Sequence, residues 1–218
     1  MRPHLALGVL LGAACAISAG AAGAQPASER APSFEEMSKT GTGPAAAGQQ
    51  DQKVLEARVA QSIARDIADM ARQVAKNADN IAASARKTEA CAPAGAKTGL
   101  AVVCAGGGAR YYGQLKNGQY EGLGVFVSAA GDVIKGEWRA GRPEGVAVTI
   151  SKTGYVVEGQ VRAGKATGYG RAIGEFGRYE GEWQDGHWNG LGVKVTTAQV
   201  SEGRWRDGKF DAGQSRTF

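Results

Sequence analysis

Apolar positions along this chain follow two different rhythms. Between residues 51 and 89 they recur at alternating steps of four and three, at Ile63, Ile67, Met70, Val74 and Ile81. The stretch has no Pro or Gly and is rich in Ala, Arg, Lys, Glu and Gln, all strong helix formers. The spacing places the apolar side chains on one stripe and predicts an amphipathic helix over residues 51–90, a rod of about 60 Å. Written as a heptad seam, Ala60, Ile67, Val74 and Ile81 take one core position, and Glu56, Ile63, Met70 and Asn77 the other. The polar members weaken the seam. Two uses fit it. One is a coiled-coil stalk, which would make a homo-oligomer through residues 51–90. The other is a single helix that packs on the remainder of the chain or on itself.

From residue 99 onward the rhythm changes to a period of two. Tyr179, Gly181 and Trp183 alternate with Glu180 and Glu182, then Asp185-Gly186 offers a turn, then Leu191, Val193 and Val195 alternate with Gly192 and Lys194. This predicts a β-hairpin with one apolar face. The unit recurs. Anchor glycines stand at 113, 136, 159, 181 and 203, followed five residues later by Gly118, Gly141, Gly164, Gly186 and Gly208. Nine after the anchors come Gly122, Gly145, Gly168 and Gly190, with Ala212 in the fifth copy. Eleven after come Gly124, Gly170 and Gly192, with Ala147 in the second. Tyr111, Ile134, Val157 and Tyr179 lie two before the anchors, and Leu115, Trp138, Val161, Trp183 and Trp205 two after. A hairpin cannot bury its apolar face alone, so stacked copies should align these positions into a ladder: Tyr111, Leu115, Trp138, Val161, Tyr179, Trp183 and Trp205. Residues 100–109 match the second half of a unit and predict an N-terminal half-repeat.

The YEGEW segment, the turn glycine and the following GxG resemble the MORN repeat family. The copy around Gly181 carries the resemblance best, and the copy around Gly159 has Val157 and Val161 for the aromatics. The resemblance implies a mainly β fold: an elongated single-layer antiparallel sheet of stacked hairpins over residues 99–218, preceded here by the long helix. It also implies protein–protein docking, scaffolding or contact with membrane phospholipid.

The 34 glycines are explained by the repeats and lack a collagen period of three. The N-terminus reads as a secretory signal over residues 1–24. Arg2 and His4 supply its basic end, residues 5–17 its apolar stretch and Ala22-Gly23-Ala24 its cleavage site. Cys15 offers a lipoprotein alternative, but Gly12 stands where a lipobox favours Leu, so ordinary cleavage and a periplasmic or secreted protein are expected. Residues 25–50, with Pro26, Pro32 and Pro44, read as a flexible linker. Cleavage would leave two cysteines, Cys91 and Cys104, an even count that predicts a disulfide in an oxidising compartment. It would also remove Arg2, taking the net charge from +5 to +4, too weakly basic to argue for nucleic acid.

Catalytic parts are missing. His187, the histidine remaining after cleavage, sits in a glycine-flanked turn without a second ligand nearby, so no metal site, cofactor or catalytic residue is assigned. Glu180 and Glu182 suggest paired carboxylates. Lys135, Glu137, Glu158, Gln160, Glu202 and Arg204 at the matching positions make a cross-strand charge ladder the simpler reading. One pattern stands out. Lys116, Arg139, Arg142, Arg162, Lys165, Arg206 and Lys209 flank the turn glycines, and stacked hairpins would align them as a cationic strip. Glu144, Asp185 and Asp207 dilute it. The expected function is a non-enzymatic scaffold of the cell envelope that docks an unidentified protein. The alternative is a module binding anionic lipid headgroups or another anionic polymer, with an envelope-polymer hydrolase a third class.

Overall fold

A computed structural model describes residues 44–87, 91, 97–175 and 177–218. The signal segment and residues 25–43 lie outside the described residues. The helix α1 spans Pro44–Arg86. It begins seven residues before the expected boundary, because the linker reading treated Pro44 as a breaker. Proline is tolerated in the first turn of a helix, where its missing N–H has no intrahelical partner to lose.

The strands are β1 (Gly99–Cys104), β2 (Arg110–Lys116), β3 (Gln119–Val127), β4 (Val133–Arg139), β5 (Arg142–Ile150), β6 (Val156–Arg162), β7 (Lys165–Gly174), β8 (Gly177–Gln184), β9 (His187–Val195), β10 (Gln199–Arg206) and β11 (Lys209–Thr217). They form one open antiparallel sheet in chain order, β1 to β11. The half-repeat became β1. Along one sheet margin the hairpins close by two-residue turns whose central residues both have positive φ, such as Ala140 (49°) with Gly141 (81°). That geometry matches the twist of the flanking strands. Each turn is tied to the one before it. The Gly141 N–H donates to the Tyr120 carbonyl, Gly164 to Pro143, Gly186 to Ala166 and Gly208 to Trp188.

The register lines matched repeat positions into rows that cross the whole sheet. One row, the spine of the sheet, reads Ala101, Gly113, Gly124, Gly136, Ala147, Gly159, Gly170, Gly181, Gly192, Gly203 and Gly213. Its neighbour on the opposite face includes Tyr112, Lys135, Glu158, Glu180 and Glu202, each one residue before an anchor glycine.

Helix α1 lies across this second row and touches every strand. The buried face of α1 is made of alanine. Ala57, Ala64, Ala71, Ala78 and Ala85 are fully buried, with Ala60, Ala68, Ala75 and Ala82 beside them. This corrects the predicted stripe. Ile63 and Met70 are exposed, and Ile67, Val74 and Ile81 only half-buried at the margin. Alanine lets the helix backbone approach the sheet closely, seating Ala71 and Ala75 on Val146 and Val148, and Ala78 and Ala82 on Val125. Of the two uses left open for the helix, the structure has it on the sheet.

The helix and the sheet share a repeat length. Seven helical residues advance about 10.5 Å, and two strands about 9.6 Å. Arg58 therefore meets Glu202, Arg65 meets Glu180 and Arg72 meets Glu158, at 2.9, 2.9 and 2.8 Å. One heptad further, Asp79 meets Lys135 at 2.9 Å with the signs exchanged, and one further still Arg86 lies 4.5 Å over the Tyr112 ring. At this end Cys91 and Cys104 are joined, with Cα atoms 5.5 Å apart. Cys91 also bridges Val102 on the outer edge of β1. Cys91→Ala is expected to lower stability by about 3 kcal/mol, the loop-closure value for a short crosslinked loop, measured by denaturant unfolding with and without reductant.

Candidate functional site

The other face of the sheet carries the predicted ladder, gathered into two clusters. In the first, Tyr111 is fully buried, stacks on Tyr120 at 3.9 Å and meets the edge of Trp138 at 5.3 Å, with Leu115 packed beside them. In the second, Tyr179 stacks on Trp188 at 4.6 Å and meets Trp183 and Trp205 edge-on. Burial raises the phenol pKa of Tyr111 and of Tyr179 far above the usual range, so both stay neutral and donate, to the Gln114 and Glu182 carbonyls at 3.0 and 2.9 Å. Trp138 and Trp205 donate Nε1–H to the spine carbonyls of Gly124 and Gly192, each at 3.1 Å. Val161 is half-buried between the clusters, where the third repeat has no ring at the ladder positions.

The ladder was legible; its outer layer was missed. Tyr120, Trp188 and Phe210 pack against it from one further repeat position, seven residues after the anchor, shared with Pro143 and Ala166. That column was available in the spacing. Tyrosine and spine also depend on each other. A Cβ at Gly192 would stand 2.5 Å from the Tyr179 hydroxyl, whereas the second repeat holds Ala147 and has Ile134 in place of the tyrosine. Gly192→Ala is expected to cost about 1–3 kcal/mol as overpacking. Adding Tyr179→Ile should recover part of that loss, read as non-additivity in a double-mutant cycle.

The paired carboxylates need a correction. They are not one row of equal members: neighbouring positions do separate jobs, and the expected cross-strand charge ladder holds in one column, where Glu158 accepts from Arg171 at 2.9 Å and Glu202 from Arg216 at 3.0 Å across strands. Glu158, Glu180 and Glu202 are buried beneath α1. Burial pushes the Glu158 carboxyl above the usual range, while Arg72 draws it down. On the next column, Gln114, Glu137, Gln160 and Glu182 accept the N–H of Leu123, Val146, Tyr169 and Leu191. Each neighbours the bulge in its hairpin, and the side chain satisfies a backbone donor that the interrupted ladder leaves over. Lys135 belongs to the helix contact, not to a free ladder.

The cationic strip is brought together. Lys116, Arg139, Arg142, Arg162, Lys165, Arg206 and Lys209 are all exposed along the turn margin. Arg206 has Asp211 at 3.3 Å and Lys165 has Asp185 at 4.0 Å. Among the described residues the other five make no ion pair. Glu144, which dilutes the strip, also accepts the Ala163 N–H at 2.9 Å, as Glu121 does for Ala140 at 3.1 Å. His187 is exposed at the start of β9. Among the described residues no three His, Cys, Asp or Glu side chains gather to hold a metal, and no helix is long and apolar enough to cross a membrane.

A single-layer sheet of stacked hairpins with glycine and aromatic rows in register defines a repeat-built binding module. The MORN repeat family matches residues 111–133, 135–154, 158–174 and 179–196, so the chain carries four consecutive MORN repeats between residues 111 and 196. Repeats of this family are generally non-catalytic binding modules. Comparison with curated proteins returns no match.

Proposed function

We propose that this protein is a non-catalytic docking scaffold of the cell envelope, exported by its N-terminal signal, that holds a protein partner on the sheet face opposite α1. The observation that supports this is the asymmetry of the two faces. Helix α1 occupies one, and the other presents the partly exposed rings of Tyr120, Phe126, Tyr155, Trp188 and Phe210. Amphipathic rings of this kind, held rigidly, suit a protein interface. The test is a photo-crosslinking amino acid placed singly at Phe126, Phe210, Ile63 or Arg139 in the native envelope. One discrete adduct from the first two positions and none from Ile63 or Arg139 is expected. Adducts from Ile63 alone or Arg139 alone would overturn the assignment of the face.

A second reading is supported by the cationic strip. A Lys or Arg near an anionic membrane contributes about 1 kcal/mol, so several in line give measurable binding where one does not. The mature chain would float with anionic vesicles at low salt and release as the Debye length falls to about 8 Å at physiological ionic strength. Changing Arg139, Arg142, Arg162 and Lys165 to Gln would abolish flotation and leave the melting temperature nearly unchanged. A mature chain that ignores anionic vesicles at low salt rules this reading out.

A further inference from the structure

The break between the two aromatic clusters leaves a pocket. The position thirteen residues after each anchor holds Phe126 in the first repeat, Thr149 in the second, Ala172 in the third and Lys194 in the fourth. These lie on the aromatic side, in the row that includes Tyr111 and Tyr179. Phe126 fills its part of the row, packing with Tyr120 and Trp138. Ala172 fills little, and Val157 next to it is small as well. Beside the buried Ala172, between the β5–β6 and β7–β8 connections, opens a concavity of about 590 Å³, walled by Tyr155 and Trp188 and rimmed by Ser151, Glu175, Arg178 and Lys194.

The cation of this pocket is unlike those of the turn margin. Lys194 is half-buried and makes no ion pair or hydrogen bond among the described residues; its ammonium lies 5.2 Å from the Trp188 ring. Its row neighbours are Tyr179 and Ser201, neither of them acidic. Arg178 on the rim has its Nε 3.4 Å from the Glu180 carboxylate, on the side of α1, which leaves Lys194 as the cation of the pocket. A half-buried ammonium held only by a ring has lost hydration without gaining a counter-charge. An apolar concavity with a few converging polar groups is the usual form of a small-molecule site.

We propose that this pocket binds a small carboxylate carrying a ring, with the ring against Tyr155 and Trp188 and the carboxylate on Lys194. Glu175 on the rim disfavours more highly charged anions. An aromatic acid and an acidic monosaccharide share this chemistry. The proposal rests on the pocket alone and is independent of the docking reading.

The experiment titrates the mature chain with benzoate and with glucuronate, following tryptophan fluorescence and amide shifts. Benzamide and glucose serve as the uncharged counterparts. Saturable binding of at least one acid at millimolar concentrations is expected, with its uncharged counterpart at least about tenfold weaker. Lys194→Met should lose about tenfold or more at unchanged melting temperature. Ala172→Phe, which restores the ring of the first repeat, should abolish binding. Whichever acid binds more tightly identifies the source. Absence of saturable binding by either acid, or a Lys194→Met variant that binds as wild type, overturns the proposal. Should Ala172→Phe fold poorly, Lys194→Met and the uncharged pair still decide it.

Discussion

Trp183→Ala is expected to cost about 3–5 kcal/mol, the usual loss for truncating a packed aromatic, while His187→Ala stays within about 0.5 kcal/mol. The two residues are four apart in the same hairpin, so the contrast isolates the face from the element. Trp183 is buried against Tyr179 and Trp188, and His187 is exposed in the turn. A finer comparison separates packing from hydrogen bonding. Trp205 donates Nε1–H to the Gly192 carbonyl, whereas the Trp183 Nε1 is buried without a partner. Trp183→Phe therefore removes an unsatisfied donor along with some packing, and Trp205→Phe strands a buried carbonyl. Trp183→Phe should be the milder of the two in denaturant unfolding. Equal midpoints for Trp183→Ala and His187→Ala would show that the faces are wrongly assigned.

Some of this architecture was readable in the residues and some was not, for physical reasons that differ by position. The hairpins were legible because glycine is demanded where both central turn residues have positive φ, and those glycines return at a fixed spacing. Tyr179 and Trp183 were assigned to one face by simple alternation. The helix was legible as a helix, but its buried face was not. Alanine contributes little to an apolar period, so Ile63 and Met70 drew the stripe although they lie in solvent. What selects Ala64 and Ala71 is close approach of the helix to the sheet, a property of the partner surface that the helix sequence alone does not carry.

Glu180 and Glu182 failed for another reason. Both are carboxylates in one short motif, and composition cannot distinguish a buried counter-ion from a side chain that serves a bulge. Alternation separates their column from that of Tyr179, but the bulge, visible only in the register, gives Glu182 its backbone donor, Leu191. One signal did lie in the sequence: the order Arg58, Arg65, Arg72, Asp79 mirrors Glu202, Glu180, Glu158, Lys135, including the sign inversion at the last pair. Matching a heptad to a repeat of 22 or 23 residues would have placed the helix on the sheet.

That inversion makes the helix contact testable. Without it, α1 could slide by one heptad and pair an arginine with a glutamate at most of its sites. With it, sliding sets Asp79 against Glu158 in one direction and Arg72 against Lys135 in the other, and either juxtaposition of like charges raises the energy of the wrong register. Arg65→Asp should accordingly release the helix. The Glu180 side chain is 1% exposed and receives Arg65 Nε at 2.9 Å and Gln61 Nε2 at 2.8 Å. Removing one partner of a buried pair costs about 3–5 kcal/mol, chiefly because the remaining charge is stranded. Arg65 is itself 49% exposed and Arg178 remains 3.4 Å from Glu180, so the lower end of that range applies. Adding Glu180→Lys reproduces the Asp79–Lys135 pair at this site and should recover much of the loss. Limited proteolysis after Arg58 and Lys76 reads the release directly, since a docked helix resists cleavage and a free one does not. Expected are rapid cleavage in Arg65→Asp, protection in the double variant and protection in wild type. If Arg65→Asp stays as protected and as stable as wild type, the alanine face alone holds α1 and the charge row has no part in setting its register.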